Sequence, residues 1–209
     1  MKFKITTLFL LMTSLVSCSS LDIDAMTKKM YNVPSFGTSQ FDNTKYIRLS
    51  QMVCGSIMFE LYQDTQKSKQ GVALLKAGSR EIANVGDGDS LHIKLDGRTY
   101  SLESSDAVTE YETIQLEYGV TMSFSHKSYV VPEELIRSAA SSNVFLAKVN
   151  MLNDTFIEGR CSILTLQENR EQLGKTGVEI TKKNVDDVNK IATVIGFREF
   201  VKMMDSTSW

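Results

Sequence analysis

The chain has 209 residues with 23 basic and 25 acidic side chains, so its formal net charge at neutral pH is −2. A mildly acidic chain without a basic patch offers no electrostatic case for nucleic acid, because that binding depends on neutralising phosphates. We therefore expect no nucleic-acid partner. The length suffices for one substantial domain or two small ones.

The first 17 residues have the composition of a secretory signal. Lys2 and Lys4 form a short positive leader, and an uncharged run of apolar or small residues extends from Ile5 to Val16. A membrane-spanning helix needs roughly 20 apolar residues, whereas a run of about 7–15 after a basic start is typical of a cleaved signal. We predict a signal peptide at residues 1–17.

This signal ends in Leu15-Val16-Ser17-Cys18, which resembles the lipobox of bacterial lipoproteins. In that family the chain is cleaved before the cysteine, the thiol carries a diacylglyceryl group, and the new amino terminus is usually acylated as well. Two or more acyl chains anchor a protein stably, whereas one chain binds only marginally. The resemblance implies that Cys18 is the lipidated residue. The alternative is an ordinary signal peptide followed by an incidental cysteine.

The residue after the lipidated cysteine bears on location. In the same family an aspartate there commonly holds the protein at the inner membrane, and this chain has Ser19 instead. The resemblance therefore implies an outer-membrane lipoprotein facing the periplasm, with surface exposure left open, in an organism with two membranes. Residues 18–43 are polar and contain Pro34 and Gly37, so we predict that they tether the lipid to the folded part.

Two cysteines remain once Cys18 carries lipid, namely Cys54 and Cys161. An oxidising envelope permits a disulfide between them, but their spacing does not show whether the Cα atoms come within bonding range. The alternative is two buried free thiols, since cysteine is among the residues most often buried. The sequence contains neither a Cys-x-x-Cys motif nor a cysteine–histidine cluster, so we predict no zinc site of the usual spacing.

Apolar and polar residues alternate from residue 44 onward, as they do in half-buried strands. We predict strands at 44–51, 56–63 and 71–78, and a further pair around 114–118 and 120–124.

Asp96-Gly97 is the clearest local signal, because this dipeptide accepts positive φ and selects a tight two-residue hairpin. The register that it sets makes one face of the hairpin apolar and leaves the other face wet. The predicted pairs are Leu95 with Arg98, Ile93 with Tyr100, and Leu91 with Leu102.

A helix is predicted to start at Pro132, because proline suits the first turn and the acids that follow it favour the helix dipole. A strand pair follows between residues 145 and 163, with Cys161 pointing inward. The carboxy-terminal part is predicted to be helical after a cap at Asn184, with a kink or a new helix at Gly196.

Strands first, then a helix, a hairpin and a final helix predict an α+β fold. We expect a largely antiparallel β-sheet with one face covered by two or three helices. Residues 44–209 should form this single domain.

Candidate catalytic residues are few. The chain has two histidines, and His126 shares the parity of the apolar positions before it, which places it at the inner end of a strand. A lone histidine there is more often a hydrogen-bonded edge residue than a catalyst, and His92 lies on the wet face of the hairpin. Either Cys54 or Cys161 as a nucleophile would need a lowered pKa and a nearby histidine. No nucleophile elbow is present.

Acidic residues cluster at two places. Asp87 and Asp89 stand beside two glycines and are read as a plain turn rather than a calcium loop, because the further ligands of such a loop are missing. Glu110, Glu112 and Glu117 are read as a solvated strand face rather than as a carboxylate pair for glycoside hydrolysis. We therefore predict no catalytic, cofactor-binding or metal-binding residue and no cofactor.

Two functional classes remain open. The first is a non-catalytic lipoprotein of the envelope that serves binding, assembly or envelope maintenance, held at the membrane by its N-terminal lipid and contacting a protein partner. The second is an envelope hydrolase whose active-site residues cannot be recognised by their spacing. The first is favoured, because the sequence has no readable nucleophile–base pair, metal cluster or phosphate-binding loop.

Overall fold

The computed structural model describes residues 34–115, 121–161 and 192–209. Of these residues, 50% lie in strands and 21% in helices. In chain order the elements are β1 (Ser35–Thr38), β2 (Lys45–Cys54), β3 (Ile57–Asp64), α1 (Thr65–Lys69), β4 (Val72–Ser79), β5 (Leu91–Leu95), β6 (Arg98–Leu102), β7 (Glu110–Gln115), β8 (Thr121–Pro132), α2 (Glu133–Ser141), β9 (Phe145–Asn150), β10 (Phe156–Cys161) and α3 (Ala192–Ser206).

The strands form two antiparallel sheets. The large sheet has six strands in the order β1-β2-β3-β4-β8-β7, and the small sheet has four in the order β10-β9-β5-β6. The expected α+β fold, with helices covering one face of a single sheet, is wrong. The large sheet curls into a half-barrel and the chain is mostly β.

The small sheet covers much of the concave face that the sequence assigned to helices. Its inward positions alternate along two neighbouring strands and are fully or nearly fully buried, namely Leu91, Ile93, Ala147 and Val149. Strands β9 and β10 contact β2, β3 and β4 across the core, while α2 and α3 pack against each other and α3 also contacts β2. The apolar face of a second sheet can bury the apolar face of the first sheet as well as a helix would.

One aromatic cluster joins these layers. The ring of Phe145 on β9 lies 6.2 Å from Phe59 on β3 and 5.4 Å from Phe197 on α3, measured between centroids. All three side chains are buried. Burying a side chain of this size stabilises the fold by about 1.5–3 kcal/mol, so this cluster fixes both sheets and α3 to one core.

Most predicted strands are confirmed. The segments at 44–51, 56–63 and 71–78 are β2, β3 and β4. The pair predicted around 114–118 and 120–124 corresponds to β7 and β8, with residues 116–120 outside the described ones. The hairpin is confirmed in the predicted register. Asp96 and Gly97 have φ values of 45° and 92°, as the tight turn requires.

The predictions for helices are partly wrong. A helix follows Pro132, but proline is its N-cap residue and Glu133 is the first helical position. No new helix begins at Gly196, since α3 runs through it without interruption. Thr193, Phe197, Phe200 and Met204 form one continuous buried stripe at helical spacing. The cap at Asn184 lies outside the described residues.

Within the described ranges, no helix combines the length and apolar character needed to cross a membrane.

Candidate functional site

A fixed loop at the end of β4 forms one wall of the candidate site. This loop, residues 80–90, crosses from the large sheet to the small sheet. Hydrogen bonds from three backbone N–H groups hold it in place. These are Ala83 to Ser125 Oγ (2.9 Å), Val85 to Thr109 Oγ1 (2.9 Å) and Gly86 to the Asn150 carbonyl (2.8 Å).

The β9–β10 connection forms the other wall. It is tied to the loop because the Leu152 N–H donates to the Asn84 carbonyl at 3.0 Å, and Val85 makes a β-bridge with Met151. A cleft of about 570 Å³ lies between the two walls. We call it the end cleft, and its lining includes Ser79, Ile82, Asn84, Leu152, Thr155 and Ile157.

The rim of the end cleft exposes apolar side chains. Ile82 is 75% exposed and Leu152 is 57% exposed, and both line the cleft. Tyr111 on β7 is also exposed, and its hydroxyl donates to Asn84 Oδ1. Scattered single apolar residues on a surface are ordinary, but several that converge on one concave feature mark an interaction site.

The polar groups of the end cleft are largely engaged with one another. Ser79 Oγ accepts the Glu81 N–H at 3.0 Å, and the Thr155 hydroxyl donates to Asn153 Oδ1 at 2.6 Å. Among the described lining residues, Glu81 is the single ionisable one. This arrangement suits contact with an apolar group, and among the described lining residues no hydroxyl is hydrogen-bonded to the Glu81 carboxylate.

His126 lies on the opposite, convex face of the large sheet. It pairs with Gly78 of β4 on one side and with Glu110 of β7 on the other, and it is only 1% exposed. Its ring stacks on Phe124 at 4.6 Å between centroids. The prediction that His126 points inward is wrong, because its ring lies on the face opposite the core positions of β8. The interpretation of His126 as a hydrogen-bonded edge residue is also wrong, because β8 lies between two strands and neither ring nitrogen makes a hydrogen bond within the described part.

The electrostatic surroundings of His126 favour the neutral ring. Burial lowers the pKa of His126 below its usual value, and the nearby Lys76 ammonium lowers it further, while Glu110 acts in the opposite direction. The Nε2 atom is 3.1 Å from Glu110 Oε2, but this contact lacks the geometry of a hydrogen bond. The adjacent Ser125 projects from the other face of the strand and bonds the 80–90 loop, so the two do not form a nucleophile–base pair.

A serine–histidine contact does occur on the outer face of the small sheet. His92 Nδ1 lies 2.9 Å from Ser101 Oγ, and His92 Nε2 lies 3.0 Å from Asn150 Nδ2. An amide nitrogen donates, so Nε2 accepts and Nδ1 carries the proton that is given to the serine oxygen. With that tautomer His92 cannot take the serine proton. The pair was readable in the sequence, since the predicted hairpin register sets residue 92 opposite residue 101.

The turn before the hairpin, which contains Asp87 and Asp89, contributes a carboxylate to an ion pair. Asp87 Oδ1 is 2.7 Å from Lys127 Nζ, and Lys127 is 1% exposed, so the carboxylate neutralises a buried ammonium. In the part of the chain that the structure describes, no three or more His, Cys, Asp or Glu residues converge as metal ligands. Glu110 and Glu112 lie on β7, whereas Glu117 and the predicted lipidation site Cys18 fall outside the described ranges.

The two remaining cysteines meet between the sheets. Cys54 at the end of β2 and Cys161 at the end of β10 form a disulfide with a Cα–Cα distance of 4.4 Å. Both residues are buried and their sulfur atoms are bonded to each other, so neither offers a free thiol as a nucleophile.

No protein-family model, no curated protein and no solved structure matches this chain. Its function therefore has to be inferred from its own residues and their geometry.

Proposed function

We propose that this protein is a lipid-anchored, non-catalytic envelope protein that binds a protein partner through the end cleft. The lipobox at Leu15-Val16-Ser17-Cys18 supports the anchor. The observation that carries the binding role is the pair of exposed aliphatic side chains, Ile82 and Leu152, that face one cleft between two hydrogen-bonded walls.

The energetics of the end cleft favour protein binding. Burying an aliphatic side chain that water now contacts gains about 1.5–3 kcal/mol, and two such residues share one cleft. Because hydrogen bonds already fix the backbone of both walls, binding a partner would cost little conformational entropy in the walls. Many polar groups of the cleft are already hydrogen-bonded to one another, so a ligand does not have to supply partners for them. An apolar side chain of a partner protein therefore fits this cleft best.

The serine–histidine contact on the small sheet is the observation that favours the rival function, an envelope hydrolase. Against it, His92 donates to Ser101 rather than accepting from it, and both residues sit on the outer face of a sheet rather than in the cleft. A serine-reactive fluorophosphonate should leave the purified protein unmodified. Labelling that disappears in Ser101→Ala would establish the hydrolase and overturn the non-catalytic role.

Site-specific photocrosslinking in intact cells tests the binding role. A photoreactive residue at position 82 and another at position 152 should capture the same protein. One at position 130 provides the control, because Val130 is 53% exposed on the convex face of the large sheet.

Binding of the captured protein in purified form completes the test. We expect Ile82→Asp to weaken this binding by about tenfold or more, since burying a charge in an apolar contact is costly, whereas Val130→Asp should leave it unchanged. Equal capture from all three positions, or equal binding by both variants, would contradict the role of the end cleft.

A further inference from the structure

The turn between β1 and β2 presents a fully exposed aromatic side chain. Phe41 is 100% exposed at the tip of this turn, and Phe36 on the adjacent strand is 49% exposed. We call this region the aromatic turn. Two exposed aromatic side chains in one short hairpin are more than the single scattered apolar residues that are ordinary on a surface, and such clustering is typical of a membrane or protein contact.

The aromatic turn is ordered rather than a loose loop. Ser39 donates its N–H to the Thr44 carbonyl at 2.8 Å, and Asn43 donates its N–H to the Ser39 carbonyl at 2.9 Å. Side chains reinforce it, since Asp42 Oδ1 accepts the Thr44 N–H at 3.0 Å. The fold therefore fixes the backbone of the turn so that the Phe41 side chain projects into solvent.

More aromatic and basic side chains surround the aromatic turn. Tyr46 at the start of β2 stacks on Tyr62 of β3 at 5.7 Å between centroids, and Lys67 Nζ lies 5.3 Å from the Tyr62 ring. Lys45 Nζ donates to the Ser208 carbonyl at 3.0 Å, which brings the C-terminal residues to the same end of the molecule. Lys67 is paired with Asp64 at 2.7 Å, so the two tyrosines and Lys45 are the side chains here of the kinds that proteins place at the water interface of a bilayer.

The covalent path from the predicted lipid leads to the aromatic turn. Cys18 and Ser35, the first residue of β1, are 17 positions apart, so the segment between them spans at most about 60 Å. Strand β1 then runs directly into the turn. A chain held to the membrane at Cys18 keeps this turn within reach of the lipid surface at all times, which raises its effective concentration there.

We propose that the aromatic turn docks into the interfacial region of the lipid bilayer that carries the Cys18 anchor. Phe41 enters between the headgroups, and Tyr46 and Lys45 lie at the headgroup level. This inference rests on the proposed lipid anchor and adds a second contact that fixes the orientation of the domain.

The orientation follows from β3. Its last residue, Asp64, pairs with Tyr46 beside the aromatic turn, and its first residue, Ile57, pairs with Ser79 in the lining of the end cleft. Eight residues of strand separate the two ends by about 23 Å. A domain docked by its aromatic turn therefore directs the end cleft away from the membrane, where a partner protein can reach it.

The test uses the full-length lipidated protein in phosphatidylethanolamine–phosphatidylglycerol vesicles. A fluorophore is attached to Gln40→Cys in the aromatic turn, and the matched control carries it on Asn153→Cys in the turn beside the end cleft. Labelling without reductant confines the dye to the new cysteine, and the wild-type chain should take none. Quenching by nitroxide groups on the lipid chains then measures depth.

We expect severalfold stronger quenching at position 40 than at position 153, and Phe41→Ser should reduce the quenching at position 40 to the control level. Vesicle flotation is measured on the same samples. Flotation with equal, weak quenching at both positions would overturn the docking and leave the anchor standing. Failure of the wild-type protein to float would overturn the anchor and the docking that rests on it. Shielding of position 40 that appears without vesicles and grows with protein concentration would show self-association and overturn the docking.

Discussion

A disulfide between Cys54 and Cys161 joins the large sheet to the small sheet. Their Cα atoms are 4.4 Å apart, and both residues are buried. Gly159, two residues before Cys161, lies so close to this point that a Cβ atom on it would overlap the Cys54 carbonyl. The Thr193 hydroxyl of α3 donates to the Val53 carbonyl beside it. One junction therefore ties both sheets and the last helix together.

Removing the disulfide should be the most destabilising change at this junction. The bridge closes a loop of 107 residues, and loop-closure entropy assigns such a crosslink up to about 4–5 kcal/mol. The double variant Cys54→Ala, Cys161→Ala should lose much of this free energy in urea unfolding, and reductant should bring the wild-type protein to a similar midpoint. Two reactive thiols in the denatured, non-reduced mature domain would show that the bridge does not form.

Gly159→Ala tests the close approach of the sheets without touching the thiols. Because the neighbouring atoms are backbone and cannot rotate away, we expect a loss of about 1–3 kcal/mol in the free energy of unfolding. Arg160→Ala is the control, since that residue is exposed on the same strand. Similar midpoints for the two variants in urea would mean that the sheets lie further apart.

The hairpin turn gives a separate test of backbone conformation. A Cβ atom at Gly97 would meet nothing within 4 Å, so its positive φ of 92° is the single obstacle to a side chain there. Gly97→Val should cost about 1–2 kcal/mol, because L-residues resist positive φ and a β-branched residue does so most. Gly97→Asn should cost less, as asparagine tolerates that region. Equal melting temperatures for both variants and the wild type would place the turn elsewhere.

His126 should make the fold sensitive to mild acid. Burial lowers the pKa of this ring, so the unfolded chain binds its proton more readily than the folded chain does. The contribution of the neutral ring is therefore complete above pH 6.5, the unfolded value, and is lost as the pH falls below it. Urea unfolding of wild type and His126→Gln between pH 7.5 and 5 should show the wild type losing more stability toward pH 5.

Glu110→Gln is the companion variant for this pH series. The Glu110 carboxylate favours the protonated ring, and without it the pKa of His126 should fall further. The acid-induced loss of stability should then be larger than in the wild type. Parallel stability profiles for the wild type and both variants would show that His126 titrates alike in the folded and unfolded chains.

The sequence predicted local features of this fold well. Alternation identified the inward side chains of β2, β3 and β9, because a strand repeats every two residues, and Asp96-Gly97 set its hairpin to the residue. In β8 it selected the wrong face, since Phe124 and His126 lie on the convex side while Tyr129 and Val131 face the core. It did not predict the second sheet. Strands β4 and β8, like β5 and β9, pair across long stretches of chain, and no local pattern records which distant strand becomes a neighbour.

The end cleft could not be predicted from the sequence for the same reason. Ile82 is one of three apolar residues in the 80–90 loop, with Ala83 and Val85, and its exposure depends on the bonds that Ser125 and Thr109 make to that loop from distant parts of the chain. The resemblance to a lipobox is different, because a signal of that kind is recognised as linear sequence and needs no folded structure.

The mass of the mature protein extracted from membranes tests the central claim, the lipid anchor, most directly. We predict a polypeptide that begins at Cys18, lacks residues 1–17 and carries the added mass of a diacylglyceryl group, with a further acyl chain on the amino terminus. Cys18→Ala should carry no lipid and should leave the detergent phase for the soluble or precursor fraction. An unmodified Cys18, or a Cys18→Ala variant that partitions into detergent as the wild type does, would contradict the account.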